Sequence, residues 1–242
     1  MKSQILKSIS ADQLGVGYSK FPVVDNVSVS LEPGALLVLI GTNGSGKSTI
    51  LKTMAGLLRP IKGYLEILGQ PSGMLPKRVA YLPQHPISTH TLPLRVRDVV
   101  AMGRFAHLGL FRRTSQHDQN IVIDAMKRTG IETQANEPIR DLSGGQQQRT
   151  HLAQVLTRQA EILLLDEPTA GLDINGRKLV AELIASERAR GVTVVMATHE
   201  LQEAENANTV MLLAQRVVSI GPPEVALRDE YLRECFGFTQ PN

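Results

Sequence analysis

Two rhythms of apolar and polar residues alternate along the chain. Residues 35–40, 162–165 and 192–197 form short β-rich runs that are apolar at almost every position, the mark of strands buried on both faces. Each run is coupled to a stretch with apolar residues at three- and four-residue spacing. Ile50, Leu51, Met54, Leu57 and Leu58 share one helical face after the first run. Leu179, Val180, Leu183 and Ile184 share another, on a helix of about residues 175–190 that stops at Gly191 and feeds the third run. This order predicts an α/β fold with a mainly parallel sheet and right-handed crossovers. Residues 27–31 and 64–68, alternating or apolar, predict antiparallel strands beside that sheet. The stretch 86–158 lacks buried-strand runs and reads as an inserted helical subdomain, with helices at 96–102, 120–127 and 146–156. Beyond it lie a strand-like 217–220, Pro222-Pro223 and a short helical stretch.

Composition narrows the class. With 242 residues, 42% of them hydrophobic, 20 Gly, 13 Pro, one Cys and no Trp, the chain has ordinary globular composition, which excludes disorder, collagen and a disulfide scaffold. The length suits a single domain over residues 1–242 with one inserted subdomain. Cys235 stands alone and cannot form an internal disulfide. No apolar run approaches the ~18 residues that span a bilayer, and residues 1–10, with Lys2 and Lys7, lack the apolar core of a signal peptide. A cytoplasmic location is expected. Net charge is only +3, yet Lys77, Arg78, Arg95, Arg97, Arg104, Arg112 and Arg113 face a single acid, Asp98, between positions 77 and 113. That stretch suits a solvated face or an anionic surface. Aromatics at 4% argue against base stacking, and no nucleic-acid partner is expected.

Chemistry enters at Gly41-Thr42-Asn43-Gly44-Ser45-Gly46-Lys47-Ser48, a phosphate-loop pattern between a predicted strand and a predicted helix. Glycines let successive backbone N–H groups converge on phosphate oxygens at the positive end of the helix that follows. Lys47 is expected at the β- and γ-phosphates, Ser48 on Mg²⁺ and Thr49 toward the α-phosphate. The second site is the end of the run 162–165, which delivers Asp166 and Glu167 to the carboxyl edge of a buried strand, where ligands gather in open α/β sheets. Adjacent strand residues point in opposite directions. Asp166 is therefore expected to hold the metal and Glu167 to act as general base on the attacking water.

A third motif, Leu142-Ser143-Gly144-Gly145-Gln146, resembles the signature of ATP-binding-cassette ATPases. Physically, Ser143, Gly144, Gly145 and Gln146 at a helix start offer exposed N–H groups and a hydroxyl, and alone would be a helix cap. The resemblance implies that this segment completes the ATP pocket of a second copy in a head-to-tail dimer. The rest of the family pattern follows in order over nearly the whole chain. Tyr18 is similar to the aromatic that stacks on adenine, and Gln84, in Tyr81-Leu82-Pro83-Gln84, to the glutamine that contacts Mg²⁺ and water. Asp173, in Ala170-Gly171-Leu172-Asp173, resembles the loop that crosses the dimer interface, and also suits a helix cap. His199 is similar to the histidine that contacts the γ-phosphate and orients the water. The remaining histidines, His85, His90, His107, His117 and His151, have no spacing that suggests a zinc site.

Gly103-Arg104 and the run 107–113 resemble ATPase subunits of importers for manganese, zinc or iron. Importers of iron chelates, haem or cobalamin share a similar stretch, so both cargo classes stay open. The resemblance implies an integral-membrane permease docked on the insertion, an extracytoplasmic substrate-binding protein, and a peripheral place on the cytoplasmic face. Rival classes fit less well. Chromosome-structure ATPases carry a long coiled coil and no sustained heptads occur here; ribosome-acting relatives carry two cassettes where this chain has one. A soluble, non-transport cassette ATPase is the remaining alternative.

Overall fold

The computed structural model describes residues 7–84, 94–108 and 114–237. The chain opens with β1 (Ile9–Val16) and β2 (Val24–Leu31), then β3 (Leu36–Gly41), α1 (Lys47–Met54), β4 (Lys62–Ile67), the two-residue β5 (Gln70–Pro71) and β6 (Val79–Leu82). Four helices follow, α2 (Val96–Met102), α3 (Phe105–Leu108), α4 (Gln116–Arg128) and α5 (Gly144–Leu156). The last part alternates β7 (Ile162–Asp166), α6 (Ile174–Ala189), β8 (Thr193–Thr198), β9 (Thr209–Leu213) and β10 (Val217–Gly221), and ends in α7 (Pro223–Ala226) and α8 (Asp229–Phe236).

Two sheets organise these elements. An antiparallel sheet runs in the order β2-β1-β4-β5, and a six-stranded sheet in the order β10-β9-β3-β8-β7-β6, parallel except for β10 at its edge. Every residue of β3, β7 and β8 is buried, which is why their sequences are unbroken apolar runs. The period of two then divides β3 between two cores. Leu36, Val38 and Ile40 join α2, α4, α5 and α6 on one face, whereas Leu37 and Leu39 join α1 and the antiparallel sheet on the other. β2 is wet on one side, so Val27, Val29 and Leu31 are buried while Asn26, Ser28 and Ser30 are exposed.

Several boundaries differ from the sequence pattern. The first helix stops at Met54 instead of continuing to Leu58: Gly56 turns the backbone to φ +73°, and the N–H groups of Leu57 and Leu58 fold back onto the Lys52 carbonyl. Leu57 is consequently 64% exposed. β1 carries no clean alternation because its register shifts twice and Gln13 sits at φ +45°. β6 and β9 are too short to show a period by themselves.

The basic stretch is not one solvated face. Arg78 pairs with Glu161 and Arg97 with Asp98, while Arg104 is buried against Asp118 at 3.0 Å and donates to the Thr157 carbonyl at 2.9 Å. Gly103 is needed beside it, because a Cβ there would lie 2.1 Å from the Gln154 carbonyl oxygen. Arg112, Arg113 and the rest of residues 109–113 lie outside the described residues, as do His85 and His90.

Candidate active site

Parallel register brings the ends of four strands to one edge. Leu82 pairs with Leu165, and Ala197 with Asp166, so Gln84, Glu167 and His199 leave β6, β7 and β8 on the same side as the loop after β3. That edge is where an open α/β sheet binds its ligand.

Gly41 to Thr49 form the loop and the first turn of α1. Gly46 caps the helix at φ +103°, with no side chain bonded to the first turn and no acid in it, which leaves the positive end of the helix open to an anion. A Cβ on Gly46 would lie 2.1 Å from Val24 Cγ2, and one on Gly41 would lie 2.2 Å from the Leu213 carbonyl oxygen. Both glycines are therefore fixed by close approach. Thr42, Asn43 and Gly44 form the exposed tip, Ser48 is half-buried and Thr49 buried. The Ser45 hydroxyl is buried with no hydrogen-bond partner among the described residues.

Lys47 is buried and reaches across the loop. Its Nζ donates to the carbonyls of Gly41 at 2.6 Å and Thr42 at 3.2 Å and lies 3.9 Å from Glu167 Oε1. Burial lowers its pKa, opposed by the Glu167 and Asp166 charges. Beyond it, Glu167 Oε2 lies 2.8 Å from His199 Nδ1. Lys47, Glu167 and His199 thus form a continuous polar chain.

The two carboxylates diverge for a different reason than strand alternation alone. Asp166 is the last residue of β7, whereas Glu167 turns into the left-handed region at φ +54° with its N–H held by the Ala197 carbonyl at 3.0 Å. Asp166 Oδ2 accepts from the Tyr81 hydroxyl at 3.2 Å, and Oδ1 is buried without a partner among the described residues. Burial first, and Asp166 next, push the Tyr81 pKa far up, so the phenol stays a donor. An orphaned, buried carboxylate oxygen is a hard donor of the kind that suits a small hard cation such as Mg²⁺. Ser48 and Gln84 are the further oxygen donors that the sequence reading expects there; Ser48 is half-buried and Gln84 is exposed at the end of a described segment.

The signature residues lie elsewhere. Ser143, Gly144, Gly145, Gln146 and Asp173 line one surface cavity of about 490 Å³, and none of residues 41–49 lines it. Ser143 caps α5 by accepting from the Gln146 N–H at 3.3 Å, and Gln146 Oε1 accepts from the Ser143 N–H at 2.9 Å. Asp173 caps α6 by accepting from the Gly176 N–H at 2.7 Å. Tyr18 is 65% exposed beside a separate shallow cavity, and Lys52 donates to its hydroxyl at 3.2 Å while lying 5.7 Å from the ring centre.

Three residues bonded to the predicted site residues escape the sequence pattern: Tyr81, Lys52 and Gln148. Gln148 is one turn into α5 and donates from Nε2 to the carbonyls of Glu167 at 3.3 Å and Pro168 at 3.1 Å. Its only sequence signal is the run of three glutamines after Gly145.

The profile of the family described as ABC transporter matches residues 24–170. The manganese transport system ATP-binding protein MntB of Bacillus subtilis is 35% identical over 230 residues, covering 95% of this chain and 92% of its own. The zinc transport system ATP-binding protein TroB of Treponema pallidum is 34% identical over 231 residues, covering 95% and 87%. The chelated iron transport system membrane protein YfeB of Yersinia pestis is 35% identical over 230 residues, covering 93% and 78%. Among solved structures, an inward-facing ABC transporter described as of metal-chelate type superposes with a TM-score of 0.83 at 29% identity, over 96% of this chain and 89% of that one.

Proposed function

The chain belongs to the ABC transporter family, and from that premise we propose that it is the ATP-hydrolysing subunit of an importer for a transition-metal ion, manganese, zinc or iron. The observation that carries the enzymatic part is the Lys47, Glu167, His199 chain at the carboxyl edge of the sheet. The cargo is argued from relatives named for manganese, zinc and chelated iron.

In this reading Lys47 exchanges its long contact with Glu167 for the β- and γ-phosphates of ATP, helped by the open N-terminus of α1. Glu167 Oε1 is thereby released toward solvent while Oε2 stays on His199. Oε1 takes the proton of the attacking water as its oxygen bonds to the γ-phosphorus and the bond to the β-phosphate oxygen breaks, leaving ADP and phosphate. His199 orients the carboxylate and reaches the γ-phosphate from its exposed ring. Ser48, Asp166 and Gln84 would hold Mg²⁺, which supplies neutralisation of phosphate charge when bound. Thr42, Asn43, Gly44, Ser45 and Thr49 cradle the phosphates, and Tyr18 stacks on adenine.

The second half of each pocket comes from another copy. Ser143 uses its oxygen to cap α5, so its hydroxyl proton remains free to donate to a phosphate, beside the amides of Gly144 and Gly145. Gln146 locks that turn, and Asp173 lies beside it. A two-fold, head-to-tail dimer places each signature on the other chain's triphosphate. Among the described residues no helix is long and apolar enough to cross a membrane. Relatives named as ATP-binding proteins of transport systems support a subunit that works against a separate integral-membrane permease from its cytoplasmic face, with cargo delivered by an extracytoplasmic binding protein. Closure around ATP drives the permease and hydrolysis reopens it.

The test is elemental analysis of cells lacking or carrying the protein under manganese, zinc and iron limitation, with Lys47→Ala as control. One element should fall on deletion, return with the natural chain and not return with Lys47→Ala. Unchanged levels of all three would overturn the cargo assignment.

A further inference from the structure

The first turn of α5 and the end of β7 are held together by one side chain. α5 packs on α2, α4 and β6, and its exposed start is the surface assigned above to a partner's triphosphate. One turn later the half-buried Gln148 donates to two successive carbonyls, those of Glu167 and Pro168. These bonds do nothing for the helix, whose own backbone is satisfied within it. They serve the loop.

That loop needs outside support. Glu167 at φ +54° is a conformation that a residue with a Cβ keeps only where its surroundings impose it. Its N–H is held by Ala197 of β8, its carboxylate by His199 and Lys47, and its carbonyl by Gln148. Three of these anchors belong to the sheet edge or α1. Gln148 alone comes from the helix that carries the signature.

We propose that Gln148 is a positioning residue that couples the first turn of α5 to the orientation of the Glu167 carboxylate in the same chain. The proposal rests on Glu167 being the general base. When Ser143 and its neighbouring amides take up a phosphate, any shift of α5 is passed through Gln148 Nε2 to the peptide that follows Glu167. The carboxylate then moves against His199. Among the described residues no hydrogen bond or ion pair links Gln148 to Lys47, whose partners of those kinds are Gly41, Thr42 and Glu167. Loss of Gln148 therefore affects turnover and spares nucleotide binding.

The experiment is steady-state and single-turnover ATP hydrolysis by the full chain carrying Gln148→Ala or Gln148→Lys, each alone and combined with Glu167→Gln. Gln148→Ala should lower kcat about tenfold with KM for ATP within about twofold, the split expected for a group acting only on the chemical step. Gln148→Lys keeps a donor of similar reach and should recover about half of the natural kcat or more. In the Glu167→Gln background, Gln148→Ala should add no further loss, because its effect passes through the group already removed. Where the alanine variant fails to fold, Gln148→Met keeps the length without the donor. An unchanged kcat, a change confined to KM, or a full second loss in the double variant would each overturn the proposal. Natural turnover by Glu167→Gln alone would instead overturn the base assignment beneath it.

Discussion

Two helix starts rich in glycine, those of α1 and α5, are finished in opposite ways. The start of α1 has no side-chain cap, a buried lysine beside it and, on Ser45 and Asp166, two buried oxygens with no hydrogen-bond partner among the described residues. The start of α5 is capped by Ser143 and closed by Gln146, and it faces an open cavity. The first is incomplete without a charged ligand. The second is complete as a helix terminus, and the described residues that line its cavity include no buried lysine or arginine. In the proposed reading, similar local sequence thus yields one end that gathers the catalytic groups of its own chain and another that becomes a site only against a second molecule.

The sharpest way to break this asymmetry is at the α1 end. Glu167→Gln should retain ATP binding and lower hydrolysis by about 10²–10⁴-fold, since it removes the proton acceptor and keeps the shape. Equilibrium binding together with single-turnover hydrolysis checks it, and near-natural turnover would remove Glu167 from its role. Lys47→Ala acts earlier. It deletes charge-assisted bonds that contribute about 1.5–3 kcal/mol, so ATP affinity should weaken about tenfold to a hundredfold. Calorimetric titration reads this directly, and unchanged affinity would contradict it.

At the α5 end the expected loss is smaller and has a different signature. Ser143→Arg keeps the phosphate loop intact and should leave ATP binding by the isolated chain within about twofold, yet hydrolysis should fall about tenfold because the partner pocket is spoiled. Mixing Ser143→Arg chains with Lys47→Ala chains should restore hydrolysis above either alone. A mixed dimer holds one pocket in which both Lys47 and Ser143 are natural. Absence of any recovery in the mixture would mean that the two ends do not meet across copies.

How much of this could be read from the residues depends on distance along the chain. The loop from Gly41 to Ser48, the α5 cap and the carboxylates after β7 are local patterns, so the sequence places them correctly at strand and helix ends. The contact of His199 with Glu167 spans 32 positions and that of Tyr81 with Asp166 spans 85, and no local rhythm encodes either. Gln148 looks like one polar residue among three until packing shows which of them faces the sheet. Gly103-Arg104 is the clearest case of a pattern whose physical meaning needs the fold. In sequence it resembles a mark of metal importers within a basic stretch; in space Gly103 allows close helix approach and Arg104 is buried against Asp118. The end of α1 was legible in principle, since Gly56 follows Met54, but the apolar Leu57 and Leu58 pull the reading past it.

The smallest expected effect concerns the frame that carries the α5 end and leaves the α1 end alone. Asp118 on α4 is held far below the usual carboxylate range, first by the Ser115 hydroxyl and backbone N–H and then by Arg104. A carboxylate whose folded pKa is depressed adds stability above its unfolded value, near 4, and loses it as pH falls toward the folded value. Asp118→Asn should therefore melt a few degrees below the natural chain at pH 7, and the gap should shrink steadily between about pH 5 and pH 3. ATP affinity at pH 7 should be unchanged within about twofold, because among the described residues no hydrogen bond or ion pair joins the phosphate loop to α4. Thermal melts across that range decide the matter: a gap that stays constant with pH would mean that the Asp118 charge does not brace the helical layer, and a loss of ATP affinity would mean that the two ends are less independent than their geometry implies.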